Sequence, residues 1–176
     1  MILNEQPVEL SIASPEDLKI VQLIAKETFF ETFAADNTEA NMNKYLVENF
    51  SDEKIRSELT NPESVFCIAW NNETPVGYLK VNTGTSQTEL RDGSALEIER
   101  IYVKKAFHGE KVGQMLYEKA LEIARSLNKS YIWLGVWEKN RKAIRFYEKN
   151  GFAAFDKHIF RFGEDEQTDM MMKKDL

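Results

Sequence analysis

The sequence is poor in the residues that build the simplest catalytic and structural sites. A single cysteine among 176 residues excludes an internal disulfide, and two histidines are too few for a zinc-ligand cluster. Cys67 lies in the apolar run VFCIAW, which predicts a buried core cysteine rather than a nucleophile. No apolar run approaches the roughly 18 residues of a membrane span, and residues 1–10 lack the basic segment of a signal peptide. We therefore expect a cytoplasmic protein without a metal.

Glycine is also sparse, and its spacing excludes two familiar phosphate-binding loops. No G-x-G-x-x-G fingerprint occurs, and Gly113 is followed by Gln114 and Met115 rather than by the Lys-Ser or Lys-Thr of a P-loop. What the sequence does contain is an apolar segment at 96–103, a short basic loop, and then apolar residues at helical spacing. Because a loop that opens a helix leaves backbone N–H groups free at the positive end of the helix dipole, this one predicts an anion-binding site.

Two segments in this half of the chain resemble the motifs of the GNAT N-acetyltransferases. Residues 140–152, NRKAIRFYEKNGF, match the family pattern N-x-x-A-x-x-F-Y-x-x-x-G-F at every fixed position. Residues 108–113, HGEKVG, partly match its acetyl-CoA loop Gln/Arg-x-x-Gly-x-Gly/Ala, with His108 replacing Gln or Arg and Lys111 replacing glycine. The resemblance covers nearly the whole chain. It is nearest to members that acetylate spermidine and spermine, through the runs IERIYV, IWLGVWEKN and EDEQTD.

The resemblance implies one GNAT domain over residues 1–176, of the α/β class with a mixed sheet. Its sheet is expected to have about seven strands, mostly antiparallel, flanked by helices. The strand at 131–136 is expected to splay from the preceding one, with Gly135 beside the pantetheine of acetyl-CoA. The implied cofactor residues are Ile101, Tyr102, Val103, His108, Gly109, Glu110, Lys111, Val112, Gly113, Gln114, Gly135, Asn140, Lys142, Ala143 and Tyr147.

Local patterns predict the secondary structure around these motifs. Strands are expected at 8–13, 65–70, 76–81, 96–103, 131–136, 152–158 and 168–173, and a polar loop at 83–93. Helices are expected after Ser14, at 38–48, from Ser51, after Gly113 and at 141–149. The length and the 43% hydrophobic content suffice for one core.

Tyr147 is the general acid that the resemblance implies. Family members place a tyrosine here, beside the sulfur of coenzyme A. A phenol has an ordinary pKa near 10, so it stays protonated at neutral pH and can donate to a departing thiolate. Outside this motif, a tyrosine that packs against the sheet would be the simpler interpretation. A backbone N–H near Tyr102 is the expected oxyanion donor.

Two glutamates are candidates for the general base. Glu97 lies eleven positions before the loop pattern, as does the catalytic glutamate of lysine-directed family members. Glu99 is the alternative, and either could act through a water or instead form a structural ion pair with Arg100, Lys80 or a neighbour. Unless a bulge intervenes, Glu97 and Glu99 share strand parity with Ile101 and Val103, so all four would face one side.

The charges are divided unevenly along the chain. Residues 1–63 contain 5 Lys+Arg and 13 Asp+Glu, a balance of −8, whereas residues 104–149 contain 11 and 5, a balance of +6. The basic part suits the phosphates of coenzyme A, and the acidic part would attract a cationic amine. We therefore expect Glu31, Asp36 and Glu39 to form the acidic wall of a polyamine site. Solvated helix faces are the alternative interpretation.

The acceptor remains open at this stage, because specificity in a fold family resides in variable loops. A polyamine is preferred. A protein N-terminus, a lysine or another small amine is the alternative within the same class, and a non-catalytic acetyl-CoA-binding regulator is the alternative outside it. We expect no nucleic-acid or membrane partner and leave a homodimer open.

Overall fold

Seven strands of the described chain join in one mixed sheet, in the order β1–β2–β3–β4–β5–β7–β6. The computed structural model describes residues 7–176. The strands are β1 Glu9–Ile12, β2 Ser64–Asn71, β3 Thr74–Asn82, β4 Ala95–Val103, β5 Tyr131–Trp137, β6 Ala153–Phe162 and β7 Asp165–Asp175. β4 and β5 pair in parallel and the other neighbours pair antiparallel. The expected α/β class and mostly antiparallel sheet are confirmed.

Five α-helices cover the two faces of this sheet in the described residues. They are α1 Leu18–Phe33, α2 Glu39–Asn49, α3 Asp52–Thr60, α4 Val112–Ser126 and α5 Arg141–Lys149. Three of them begin with a capping side chain: Thr38, Ser51 and Asn140 each accept a hydrogen bond from the backbone N–H three residues later. Such a cap satisfies an N–H that the helix leaves free, and it stabilises by about 1 kcal/mol.

The helices bury one hydrophobic core on each face. On one face Leu116 and Ala120 of α4 pack against Ile98 of β4. On the other face, Ile24 of α1 packs in a core that includes Tyr78 of β3. Full burial of such a side chain contributes about 1.5–3 kcal/mol, so the two cores hold the central strands in place.

The parallel pair β4–β5 separates along its length. Pairing runs from Ala95 opposite Tyr131 to Ile98 opposite Leu134 and stops there. Both strands continue, and β5 stays paired with β7 as far as Trp137. The expected splay is therefore present, and it opens a gap between β4 and β5.

A bulge in β4 interrupts the alternation of side chains that the sequence predicts for this strand. Ile98 lies opposite Val81 and Arg100 lies opposite Lys80, so Glu99 is the extra residue. Ile101 packs with the α4 core, whereas the neighbouring Tyr102 packs with the α1 core. Since a bulge reverses the alternation of side chains, Glu97 and Ile101 lie on opposite faces and not on one face.

The final hairpin is longer than the sequence suggests. The expected strands at 152–158 and 168–173 extend to Ala153–Phe162 and Asp165–Asp175, with a turn at Gly163, whose φ is +63°. Most residues near the turn are charged or exposed, so this part of the sequence lacks the alternation of apolar and polar residues that predicts a strand. Within residues 7–176, no helix is long and apolar enough to cross a membrane.

Candidate active site

A cavity of about 1020 Å³ lies where β4 and β5 separate. Its walls come from the loop before α4, from α5, from β6 and β7, and from helices α1 to α3. Every predicted cofactor and catalytic residue except Glu110 lines it. The volume is at the upper end of ordinary ligand sites, which suits a long cofactor together with a second substrate.

Glu110 and the three expected acceptor residues lie elsewhere. The Glu110 side chain is exposed, and its N–H donates to the Phe107 carbonyl at 3.4 Å. Glu31 accepts the Lys105 N–H at 2.9 Å on the outside of the cavity, and neither Asp36 nor Glu39 lines the cavity. The acidic wall expected from these three side chains is therefore not a wall of this cavity. The carboxylates on the cavity wall are instead Glu58, Glu89, Glu97, Glu99, Glu118 and Asp169.

The loop before α4 presents free N–H groups to the cavity. Lys111 is the N-cap of α4 and holds a left-handed φ of +61°, a conformation that the family's usual glycine adopts without strain. The first backbone hydrogen bond of the helix is donated by the Met115 N–H to the Lys111 carbonyl, at 3.1 Å. The N–H groups of Val112, Gly113 and Gln114 therefore have no acceptor within the helix. The site fits a pyrophosphate group, with the Lys111 ammonium as an additional charge.

His108 joins this loop to β4 and α5. Its Nε2 lies 2.8 Å from the Val103 carbonyl, and its Nδ1 lies 3.1 Å from the Lys142 ammonium. Because a carbonyl only accepts and an ammonium only donates, Nε2 carries the hydrogen and Nδ1 accepts. The histidine that replaces the usual Gln or Arg thus fixes the loop between two elements.

Helix α5 positions Tyr147. The Asn140 side chain caps the helix by accepting the Ala143 N–H at 3.2 Å, and the amides of Gln114 and Asn150 hydrogen-bond each other at 3.1 and 3.3 Å. Tyr147 is buried, with 6% of the residue exposed. Burial raises the pKa of its phenol, and nearby Tyr102 adds to that rise. Tyr147 therefore stays protonated at neutral pH and can serve as an acid.

The two candidate bases differ in their electrostatic surroundings. Glu97 is buried and accepts hydrogen bonds from Asn82 Nδ2 at 2.9 Å, from the Thr88 N–H at 2.9 Å and from the Thr88 hydroxyl. Burial raises its pKa more than these bonds lower it. For Glu99, burial raises the pKa, but Arg100 and Lys80 together outweigh it and lower it. Glu97 is therefore the better proton acceptor.

Arg100 belongs to a buried ionic network that the sequence only partly suggested. Its guanidinium donates to both carboxylate oxygens of Glu58, at 2.8 and 3.1 Å, and Lys80 lies 3.4 Å from the same carboxylate. Lys80 also pairs with Glu99. Such a network places α3 against β4 and leaves Glu58 and Glu99 with cationic partners.

Aromatic rings line the other end of the cavity. Phe29 stacks on Tyr45 at 4.3 Å between centroids, Tyr45 stacks on Phe162 at 5.1 Å, and Phe33 lies 5.2 Å from Trp137. Phe29 and Phe33 are core residues that also face the cavity. Sequence reasoning missed Tyr45 and Phe162, because more than one hundred positions separate them. No local pattern could bring them together.

Comparisons with known proteins agree with this geometry. The sequence profile of the acetyltransferase (GNAT) family matches residues 26–152. An uncharacterized N-acetyltransferase of Lactobacillus delbrueckii subsp. lactis is 39% identical over 169 residues, 96% of this chain and 98% of that protein. A spermidine N(1)-acetyltransferase of Thermoplasma acidophilum is 26% identical, over 85% of this chain and 90% of its own.

Among solved structures, this chain is similar to the PaiA N-acetyltransferase from Thermoplasma acidophilum, crystallised in complex with coenzyme A. The TM-score is 0.80 at 24% identity, over 97% of this chain and 100% of that one. The likeness shows the same fold.

Proposed function

The chain belongs to the acetyltransferase (GNAT) family as an acetyl-CoA-dependent N-acetyltransferase, and we propose that its acceptor is a primary amine of a linear polyamine such as spermidine. The observation that carries the proposal is the two-ended cavity. One end has free N–H groups and a protonated phenol, and the other has aromatic rings and carboxylates. An anionic cofactor and a cationic amine would meet between them.

The residues present suit acetyl-CoA, which supplies the acetyl group as a reactive thioester. The N–H groups of residues 112–114 and the Lys111 ammonium would hold its pyrophosphate. The gap between β4 and β5 exposes unpaired backbone groups on both strands beyond Ile98 and Leu134. Those groups suit the amides of a pantetheine arm.

The side chains of the cavity can move the protons that the reaction requires. The reaction forms an N–C bond, breaks a C–S bond and releases one proton overall. Glu97, directly or through a water, would take a proton from the acceptor's ammonium. Tyr147 would give its phenolic proton to the departing sulfur and would regain one from the second proton that the nitrogen loses.

A polyamine is favoured over an amine with an uncharged tail by the charge at the end of the cavity with aromatic rings and carboxylates, here called the acceptor end. Carboxylates of α3, β4 and β7 and of the loop before β4 line this end, and aromatic rings beside them favour an ammonium group. The similarity to a spermidine N(1)-acetyltransferase supports the same choice.

An acceptor panel tests the proposal. The protein is incubated with acetyl-CoA and with spermidine, spermine, n-propylamine, a lysine peptide or a peptide with a free N-terminus, and thiol release is measured. We expect the highest kcat/KM for spermidine or spermine and a fall as salt rises, because salt screens attraction over about 8–10 Å. Equal kcat/KM for spermidine and n-propylamine would exclude a polyamine site. Thiol release with the peptides alone would indicate a protein acceptor, and coenzyme A binding without any acetyl transfer would indicate a regulator.

A further inference from the structure

Asp169, the last residue of the EDEQTD segment, is a cavity carboxylate without an assigned role. It lies on β7, opposite Trp137 of β5 and His158 of β6. Its side chain lies over Gly135, where an added Cβ atom would be 3.4 Å from Asp169 Oδ2. The missing side chain at Gly135 therefore leaves this carboxylate open to the gap between the strands.

The other carboxylates on the cavity wall have partners. Glu58 binds Arg100, Glu97 accepts three hydrogen bonds, Glu99 pairs with Lys80, Glu89 lies 3.0 Å from His158 Nδ1, and Glu118 lies 3.4 Å from Gln114 Nε2. Within residues 7–176, the Asp169 side chain accepts no hydrogen bond and has no cationic nitrogen within 4.0 Å. It is thus the cavity carboxylate of the described chain that is available for a ligand.

The surroundings of Asp169 make this isolation costly. Its cross-strand neighbours are Trp137 on β5 and His158 on β6, and its charge raises the pKa of the phenols of Tyr102 on β4 and Tyr45 on α2. Burial raises its pKa to about 6, although nearby His158 lowers it. A half-buried carboxylate without a partner destabilises a fold, and such an arrangement is typical of a functional site whose counter-ion is the ligand.

Asp169 also lies well away from the candidate base. Glu97 lies opposite Trp133 in the β4–β5 pairing, and Asp169 lies opposite Trp137 in the β5–β7 pairing. Four residues along a strand span about 13 Å. A carboxylate that pairs with an amine stabilises the protonated, ammonium form of that amine. The nitrogen that attacks the thioester must instead lose a proton. Asp169 is therefore suited to a nitrogen that does not react.

We propose that Asp169 binds the non-reacting ammonium group of the acceptor, among the rings of Tyr45, Tyr102 and Trp137, and so selects acceptors with a second positive charge. This inference rests on the proposed amine acetylation. It makes Asp169 a specificity residue, whereas Glu97 and Tyr147 move protons.

Kinetics of Asp169→Asn test the assignment with two acceptors. For spermidine, we expect KM to rise about 10–100-fold, the usual effect of losing a charged hydrogen bond, with kcat within about threefold of the wild type. For n-propylamine, which has no second ammonium, kcat/KM should not change. Asp169→Glu should restore part of the spermidine preference. The matched control is Asp165→Asn, on the same strand, exposed and outside the cavity.

Calorimetry gives a second measurement that needs no turnover. Spermidine is titrated into the protein saturated with coenzyme A, and we expect its affinity to fall about 10–100-fold in Asp169→Asn. Circular dichroism and coenzyme A affinity establish that the variant is folded, and Asp169→Ser replaces it if it is not.

The outcomes separate the two proposals. If the wild type binds coenzyme A but acetylates no amine, the proposed function fails. If the wild type acetylates spermidine and folded Asp169 variants keep its KM and affinity, only the role of Asp169 is excluded. An equal loss for spermidine and n-propylamine would also overturn it, because it would place Asp169 at the reacting nitrogen.

Discussion

The side-chain amide of Asn82 donates to the carboxylates of both Glu97 and Glu99, at 2.9 and 3.3 Å. The β3–β4 register makes this shared contact available, since Asn82 lies opposite Glu97 and Glu99 is the extra residue two positions further along β4. One amide thereby joins two carboxylates whose pKa values are shifted in opposite directions. Glu97 is left suited to accept a proton, and Glu99 remains the charged partner of Lys80.

The first prediction compares these two glutamates. Glu97→Gln should lower kcat about 10²–10⁴-fold, because an amide cannot accept the acceptor's proton. Glu99→Gln is the matched control. It should keep kcat within about tenfold but reduce the free energy of unfolding by about 1–3 kcal/mol, since it removes one of the two carboxylate partners of Lys80 and leaves Glu58 in place. Steady-state kinetics and urea denaturation check both, and a Glu97→Gln enzyme as fast as the wild type would exclude Glu97 as the base.

The same glutamates show where sequence reasoning stops. Sequence identified Glu97, the anion-binding loop and the Asn140 motif, because these depend on local spacing: Asn140 caps α5, and the loop opens α4. It could not locate the bulge at Glu99, which depends on the pairing of β3 with β4. Local patterns therefore predicted the elements, and the cofactor residues that they indicate line one cavity, apart from Glu110.

Local sequence patterns do not predict which residues line the acceptor end of the cavity. The overall charge of residues 1–63 predicts an acidic wall of Glu31, Asp36 and Glu39, but charge balance does not specify which way a side chain faces. Asp169 approaches Gly135 only through the β5–β7 pairing of distant segments. Its surroundings come from tertiary packing that has no local sequence signal.

The second prediction concerns Tyr147. Tyr147→Phe removes the proposed thiolate acid while it keeps the ring that packs against Phe152 at 5.7 Å. We expect kcat to fall about 10²–10⁴-fold, with coenzyme A affinity unchanged. Tyr131→Phe is the control, because that phenol binds Asp92 at 2.8 Å outside the cavity. If chemistry limits turnover and kcat of Tyr147→Phe stays within about threefold, water protonates the thiolate.

The third prediction concerns the charge of Lys111. Lys111→Asn removes the ammonium but preserves the loop, because asparagine tolerates the left-handed φ of +61°. Calorimetry should show weaker coenzyme A binding at low salt and a smaller difference at high salt, as screening predicts. Lys157→Asn, an exposed substitution on β6, should leave the affinity unchanged. Unchanged or tighter binding by Lys111→Asn would show that the loop amides act without this charge.

The last prediction follows from the pKa of Asp169, which burial raises from an ordinary 3.8 to about 6. Between these values the folded protein binds more protons than the unfolded chain, so the free energy of unfolding falls as pH rises through this window. A rise of about 2 in the pKa corresponds to at most about 3 kcal/mol. Partial exposure to the cavity reduces it, and we expect about 1–3 kcal/mol at pH 7.5.

Asp169→Asn should therefore be more stable than the wild type by about 1–3 kcal/mol at pH 7.5 and equally stable near pH 4. Urea denaturation at both pH values measures the difference. In a His158→Gln background the gain at pH 7.5 should not be smaller, because the group that lowers the Asp169 pKa is gone. Asp165→Asn, whose carboxylate is exposed, should show no comparable gain. A loss of stability at pH 7.5 in Asp169→Asn would mean that the carboxylate has a stabilising partner. The predicted gain in stability, together with weaker binding of spermidine, would mean that this carboxylate destabilises the fold and is kept because it binds the acceptor.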